Sequence, residues 1–231
     1  MLTSTSTANK INRPALAHAM PPASPRLSFD PMQMLTIFEP AQQLCRIPRA
    51  PQTEISDYLQ QVALKIAPGL RNVVSLTQPL APQLEGLLPA QLGREAFIQE
   101  VEQLVMVFAE LLDCQTVGLR LEVLQKAMCP QFHVDHTGIR LLCTYLGPGT
   151  EWLEEAFADR RYLNNRSADN SHQRAGVVID TRGIRQADSF DIVLLKGSRW
   201  QNNTTGGAIH RSPAVPDGQV RVVLALDAMS N

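Results

Sequence analysis

Residues 219–227 read QVRVVLALD, and they carry the clearest strand pattern in this chain of 231 residues. One face of the pattern holds four bulky apolar side chains: Val220, Val222, Leu224 and Leu226. The other face holds Arg221 with the smaller Val223 and Ala225, which leave room for a ligand beside the guanidinium. The alternation therefore predicts a strand with a core on one side and a candidate ligand site on the other.

The second half of the chain continues in this strand rhythm. Turn residues such as Gly147-Pro148-Gly149 and Pro216-Asp217-Gly218 separate short apolar segments. Besides 220–226, the predicted strands are residues 116–124, 132–135, 138–146, 175–180, 190–196 and 208–211. Residues 116–231 are thus expected to form a β-sandwich core that carries the site.

The first half is predicted to be helical. Residues 53–67 place apolar side chains at helical spacing behind Thr53, a candidate N-cap, and residues 94–114 form a longer amphipathic helix. Helices followed by strands predict an α+β protein, a double-stranded β-helix (jelly roll, cupin-like) with N-terminal helices packed on one sheet. In this division residues 31–115 form the helical part, and residues 1–30 form a disordered tail.

Composition excludes several classes of function. Formal net charge is −1 and aromatic residues make up 5%, so a nucleic-acid partner is not expected. No apolar run approaches the roughly 20 residues that span a bilayer, so a membrane partner is not expected either. We expect a cytoplasmic protein with reduced thiols, the alternative being an organellar transit peptide in the acid-free, Ser-rich first 28 residues. Oligomeric state and substrate leave no signature in the sequence.

The densest chemical signal is CPQFHVDH at residues 129–136. On a strand, His133 and Asp135 project from the same face, while His136 projects from the opposite one. An imidazole and a carboxylate side by side are two ligands of the 2-His-1-carboxylate triad that holds Fe(II). His210, in GGAIHRSP at residues 206–213, is the best candidate for the third ligand because it leaves a glycine turn and enters a short strand.

Two arginines are candidates for binding an anionic cosubstrate. The guanidinium of Arg221 could hold a carboxylate through two hydrogen bonds, or it could pair structurally with Asp227 or another acid. Arg140 is an alternative cosubstrate ligand or a structural ion-pair residue. Tyr145 is a candidate hydrogen-bond donor to the cosubstrate, with a plain core position as the alternative. The candidates for a substrate pocket are Trp152, Thr144 and Arg211.

These residues together resemble a known family. His-x-Asp, the following Arg140, TYL at 144–146 and GPGTEW at 147–152 resemble the prolyl-hydroxylase-type branch of the Fe(II)/2-oxoglutarate oxygenases, and residues 190–197 (FDIVLLKG) stand where its penultimate strand would be. The resemblance covers about residues 129–227. It implies Fe(II) and 2-oxoglutarate as cofactors, with His133, Asp135 and His210 as iron ligands and Arg221 as the cosubstrate anchor.

A longer string, FHVDHTGIRLLCTYLGPGTEWL with LLKG and IHRSP downstream, closely resembles an uncharacterised, mainly bacterial family of unknown function. This resemblance covers about residues 35–228. The genes of that family often lie near those of metal-handling GTP-binding proteins, so the resemblance implies a role in metal homeostasis.

Three functions follow as hypotheses. The first is an Fe(II)/2-oxoglutarate-dependent oxygenase that hydroxylates an unknown substrate, with residues 153–174 as a candidate lid. The second is a cupin-like zinc-binding or metal-homeostasis protein without turnover, in which Zn(II) occupies the same three ligands or a four-ligand site. The third is a protein-interaction module. The candidate four-ligand zinc set is Cys129, His133, His136 and Cys143.

Overall fold

A computed structural model describes residues 28–163, 176–203 and 206–229. Its three α-helices are α1 (Thr53–Ile66), α2 (Leu80–Glu85) and α3 (Arg94–Leu111). Its nine strands are β1 (Leu44–Ile47), β2 (Gly69–Ser75), β3 (Thr116–Leu124), β4 (Ile139–Leu146), β5 (Glu151–Leu153), β6 (Ile184–Gln186), β7 (Ile192–Lys196), β8 (His210–Arg211) and β9 (Arg221–Ala228). Mixed helical and antiparallel sheet structure is therefore confirmed.

The strands form two antiparallel sheets. Six of them make a large sheet in the order β1-β7-β4-β9-β3-β2, and three make a small sheet in the order β6-β5-β8. Strand β9 lies inside the large sheet between β3 and β4, where Arg140 of β4 faces Asp227 across the ladder. The strand of Arg221 and the strand of Arg140 and Thr144 are therefore direct neighbours.

The main core lies between the large sheet and the helices. Val222, Leu224 and Leu226 of β9 are fully buried there, as their alternation predicts. They share this core with the apolar stripe of α3: Phe97, Val101, Leu104, Val105 and Phe108. Burial of each such side chain is worth about 1.5–3 kcal/mol, which fixes α3 on this face of the sheet.

The opposite face of the large sheet is covered more thinly. A small apolar cluster there consists of Ala187, Val193, Leu195 and Ala208, with Leu44, Leu142 and Trp152 packed against it. The polar residues of β3, β4 and β9 lie on this same face, and the cavity described below is formed beside them.

Most of the predicted elements are confirmed, with ends that differ by up to three residues. Two predicted strands are wrong. Residues 132–135 form only one bridge, between His133 and His210. Residues 176 and 177 are helical, and Val178 forms one bridge to Ala158. In both segments the apolar side chains pack into a local cluster around Leu153 instead of lying along a ladder. Residue 175 lies outside the described part.

Several elements were not predicted from the sequence. The helix α2 lies in the proline-rich connection, and β1, β2, β5 and β6 are short or carry an uneven burial pattern. Strands β1 and β2 form the two edges of the large sheet, so residues 31–115 contribute strands as well as helices to the core.

The described part contains no helix with both the length and the apolarity to cross a membrane. Of the predicted lid at 153–174, two short 3-10 turns are described, Glu155–Phe157 and Arg160–Tyr162. Residues 164–174 of that lid and residues 1–27 of the predicted tail lie outside the described residues.

Candidate metal centre

A backbone bridge brings the two histidines together. The amide of His133 donates to the carbonyl of His210 at 3.0 Å, and the amide of His210 donates to the carbonyl of His133 at 3.0 Å. The centroids of the two imidazole rings lie 4.5 Å apart. The chain thus joins the 129–136 loop to the end of β8 by two hydrogen bonds, although 77 positions separate the two histidines.

Asp135 completes a three-residue cluster. One ligand atom from each of His133, Asp135 and His210 lies within 4.8 Å of the others. The Nε2 atom of His133 is 3.4 Å from Asp135 Oδ1, and that of His210 is 3.4 Å from Asp135 Oδ2. The convergence was predicted, but it comes from a loop and a bridge rather than from a regular strand.

The histidine rings are oriented by their other nitrogen atoms. Nδ1 of His133 lies 2.9 Å from the carbonyl oxygen of Gln131, and Nδ1 of His210 lies 3.0 Å from that of Ala208. A carbonyl can only accept, so a neutral ring carries its proton on Nδ1 and points the Nε2 lone pair toward the cluster. The Nε2–H that donates to Asp135 belongs to the protonated ring. The neutral ring is the form in which imidazoles bind metals.

The pKa values of two cluster residues are shifted, and the shift of Asp135 is in the direction that favours a bound cation. Burial raises the pKa of Asp135, but hydrogen bonds from both histidines and the charge of Arg140 outweigh it, so the pKa lies well below its ordinary value. Burial lowers the pKa of His133, and the hydrogen bonds to Asp135 and Gln131 raise it above its ordinary value. Asp135 is therefore an anion at neutral pH, beside two nitrogen donors.

Arg221 is the second unusual feature of this face. The residue is buried, and its guanidinium donates to neutral oxygens only: the carbonyl of Pro148 at 2.8 Å and the hydroxyls of Thr144, Thr150 and Ser212 at 3.1, 2.9 and 3.4 Å. No described carboxylate forms an ion pair with it. Burial lowers its pKa to about 10, so it remains a cation at neutral pH. A buried cation without an anion is costly, and a bound anion would remove that cost.

The cluster and Arg221 open on one cavity of about 260 Å³. Its lining includes His133, Asp135, His210 and Arg221, together with Thr150 and Ser212, which hydrogen-bond to the guanidinium. The sequence analysis did not single out Thr150 or Ser212. The signal for Thr150 was a hydroxyl in the glycine turn after β4, and Ser212 lies on the chain two residues beyond His210.

Arg140 lies next to the cluster but is already paired. It hydrogen-bonds to Asp135, and its Nε and NH2 atoms contact the two carboxylate oxygens of Asp227 at 2.8 and 3.0 Å. The structural ion pair weighed for Arg140 is thus what the structure contains, and Asp227 pairs with Arg140 rather than with Arg221.

Two predicted site residues lie elsewhere, which corrects the prediction. Tyr145 is fully buried on the helix side of β4, where it packs edge-on against Phe97 and Phe190, so it does not reach the face that carries the metal cluster. Trp152 packs against the small cluster around Val193 instead of lining the cavity. The strand alternation that separates Tyr145 from Arg140 was the signal that could have excluded it.

The two remaining pocket candidates contact the site. Thr144 holds Arg221 through its hydroxyl, and Arg211 lines the cavity while pairing with Glu151 at 2.5 Å and stacking over Phe132. Arg211 therefore forms part of the cavity wall with its charge already compensated.

The predicted four-ligand zinc set does not converge. Cys143 lies on the helix side of β4 and accepts a hydrogen bond from Arg49, and His136 contacts Ser198. Cys129 lines the cavity, but among the described residues only His133, Asp135 and His210 form a group that could hold a metal. Two imidazoles and one carboxylate with an open cavity side fit Fe(II), and they fit Zn(II) as an open three-ligand site.

Residues 28–227 match the model of a family described as "Protein of unknown function (DUF1826)". No curated protein matches the chain. Among solved structures, the dioxygenase for auxin oxidation from rice is 16% identical, with 81% of this chain and 74% of that one covered and a TM-score of 0.46. The Neurospora crassa T7H in complex with alpha-KG is 14% identical, with 82% and 74% covered and a TM-score of 0.47.

A Pseudomonas putida prolyl-4-hydroxylase is 6% identical, with 87% of this chain and 99% of that one covered and a TM-score of 0.43. All three TM-scores lie below 0.5. The functional conclusion therefore depends on the geometry of the site in this chain.

Proposed function

We propose that this chain, which belongs to the DUF1826 family of proteins of unknown function, is an Fe(II)- and 2-oxoglutarate-dependent oxygenase. It would hydroxylate a C–H bond of an organic substrate. In this proposal the two antiparallel sheets correspond to a double-stranded β-helix, and the site lies between them.

One observation carries the proposal. A buried arginine without an acidic partner in the described residues faces the same cavity as a 2-His-1-carboxylate cluster. The cluster by itself would suit a store or sensor of metal ions, which needs no anion nearby. A cationic anchor beside it suits a metal enzyme whose cosubstrate is an organic acid.

The residues divide the work between them. The Nε2 atoms of His133 and His210 and a carboxylate oxygen of Asp135 would hold Fe(II) on one face and leave the cavity side for other ligands. Iron, when bound, supplies the O₂ chemistry that couples decarboxylation of 2-oxoglutarate to hydroxylation of a substrate.

Arg221 would bind the remote carboxylate of 2-oxoglutarate through NH1, whose one contact among the described residues is the 3.4 Å hydrogen bond to Ser212, and this contact orients the cosubstrate toward the metal. Thr144, Thr150 and the carbonyl of Pro148 hold the guanidinium in place before the cosubstrate arrives. This preorganisation reduces the entropy lost on binding.

Anaerobic titration of the metal-free protein with Fe(II) and then 2-oxoglutarate tests the proposal. We expect a visible metal-to-ligand charge-transfer band with unsubstituted protein. In Arg221→Met, loss of the carboxylate contact should cost about 2–5 kcal/mol of binding free energy, a weakening of about 30-fold to several thousand-fold. The free energy of unfolding of the variant should lie within about 1 kcal/mol of that of the unsubstituted protein, because removing this cation leaves no acidic side chain without its partner.

Arg71→Gln is the matched control. Arg71 also lies on the large sheet, but it is largely exposed and pairs with Glu122, so the band should keep its intensity. Tightly held stoichiometric zinc, with no response to 2-oxoglutarate, would instead support the zinc-binding protein without turnover. A charge-transfer band that survives in Arg221→Met would contradict the assigned anchor.

A further inference from the structure

The carboxylate ligand of the metal cluster lies on irregular backbone. Asp135 belongs to no strand, and its backbone is tied to the rest of the chain by one hydrogen bond from the amide of Ser198 to its carbonyl at 2.9 Å. A metal ligand on a loop needs support from rigid neighbours to keep its geometry. The two histidines have such support from the bridge between them and from the carbonyl groups at their Nδ1 atoms.

The large sheet supplies the missing support through a chain of ion pairs. Arg140 of β4 donates through NH1 to Oδ2 of Asp135. The same guanidinium donates through Nε and NH2 to the two carboxylate oxygens of Asp227 in β9, at 2.8 and 3.0 Å. Arg120 of β3 also donates to Asp227, at 3.1 Å. Three adjacent strands are thus connected to a single loop carboxylate. The side chains of Asp135, Arg140 and Asp227 are 14%, 16% and 21% exposed, so solvent screens these contacts only in part.

We infer that Arg140, held by Asp227, is a positioning residue that fixes the orientation of Asp135 as a ligand of the metal. The inference rests on the proposed function for the presence of a metal. Oδ2 of Asp135 accepts from the guanidinium and also lies 3.4 Å from Nε2 of His210, while Oδ1 lies 3.4 Å from Nε2 of His133, so the contact with Arg140 holds the carboxylate turned toward both histidines. Asp227 sets the angle of Arg140, because a two-bond contact between guanidinium and carboxylate allows little rotation. Neither residue is a ligand itself.

A positioning role and a purely electrostatic role predict opposite results. A cation beside the metal repels it, so removing the charge of Arg140 would strengthen metal binding if charge were its only effect. If Arg140 orients Asp135, removal weakens metal binding, since the carboxylate then rotates among several conformations. Supporting residues of this kind typically change metal affinity by 10- to 100-fold.

Titration of the metal-free protein with Co(II), followed by its visible absorption, measures the effect without 2-oxoglutarate or turnover. We expect Arg140→Gln to raise the Kd for Co(II) about 10- to 100-fold and to change the ligand-field bands. Asp227→Asn should also raise the Kd for Co(II) and change the ligand-field bands, but by less than Arg140→Gln. Arg140→Lys keeps the charge but cannot bridge two carboxylates, so it should restore the affinity only in part. Arg71→Gln, another arginine of the same sheet face, should bind Co(II) like the unsubstituted protein.

An unchanged or higher affinity in a folded Arg140→Gln variant would overturn the inference and leave the oxygenase proposal standing. If that variant does not fold, Arg140→Lys and Asp227→Asn decide in its place, and unchanged Co(II) binding in both overturns the inference. If the unsubstituted protein does not bind Co(II) through His133, the proposed oxygenase function and the positioning role of Arg140 are both overturned.

Discussion

Two buried polar clusters lie on opposite faces of the same sheet, and they handle charge differently. The helix-side cluster consists of Arg49, Glu100, Cys143 and Tyr145. The cavity-side cluster consists of His133, Asp135, His210 and Arg221. Cys143 and Tyr145 of β4 belong to the first cluster, while Thr144 between them holds Arg221 in the second. A single strand therefore contributes to both by alternation alone.

The helix-side cluster is closed. The side chains of Arg49 and Glu100 are 1% and 4% exposed and lie 2.7 Å apart, and Gln52 and Tyr145 also donate to Glu100. Burial lowers the pKa of Arg49, but the neighbouring acidic groups outweigh this and raise it above its ordinary value. Burial raises the pKa of the Cys143 thiol to about 12, so this thiol is unreactive at neutral pH.

The cavity-side cluster is open. Burial alone acts on Arg221 and lowers its pKa, because no described acid compensates it. The comparison teaches that burial of an arginine does not by itself indicate a binding site. The indication comes from a buried charge whose partner is absent from the described chain and whose surroundings leave a cavity for that partner.

The largest expected effect concerns stability. Glu100→Ala would leave Arg49 as an uncompensated buried cation and should lower the free energy of unfolding by about 3–5 kcal/mol, measured by urea denaturation. Glu95→Ala, on the exposed side of the same helix, is the control and should change it by less than about 0.5 kcal/mol. An equal loss in both variants would mean that the helix-side cluster is not a closed ion pair.

The second expected effect is on the pH dependence of metal binding. Metal binds neutral imidazole, and the contact with Asp135 raises the pKa of His133 above 6.5. Protons therefore compete at higher pH than for an ordinary histidine, and the affinity for Co(II) should fall up to about tenfold per pH unit as pH falls below that pKa. Titrations between pH 8 and 5.5 measure this. A profile without decline over that range would contradict the ligand role, and His136→Gln should leave the profile unchanged.

The smallest expected effect distinguishes the two faces of β4. Tyr145→Phe removes the hydrogen bond of 3.3 Å to Glu100 and should cost about 0.5–1.5 kcal/mol of stability. Binding of 2-oxoglutarate should not change, because the ring lies in the helix-side core. A weaker charge-transfer band in this variant would return Tyr145 to the cosubstrate site.

Local patterns predicted helices at 53–67 and 94–114, which the structure contains as α1 and α3, and most of the long strands, since apolar periodicity is strong there. They failed for β1, β2, β5 and β6, which are short and whose pairing comes from distant segments. The segment 132–135 shows the same limit. Its alternation resembles a strand, but the loop is held by contacts with β8 and with the cluster around Leu153.

For the site, local patterns were enough to identify the candidate ligands. The spacing of His133 and Asp135, and the glycine turn before His210, were enough to propose the three residues. The alternation of β9 was likewise enough to place Arg221 on the face away from the main core. These are properties of neighbouring residues, which backbone geometry links directly.

Which arginine lacks an acidic partner in the described chain depends on contacts between distant segments. Arg140 and Arg221 both precede small or apolar neighbours on strands, and either could have been the anchor. The pairing of β4 with β9 places Asp227 opposite Arg140, and the fold brings Asp135 to the same guanidinium. The same fold surrounds the guanidinium of Arg221 with hydroxyl groups and one carbonyl group. Charge compensation depends on distances between residues far apart in the chain, and local sequence does not contain those distances.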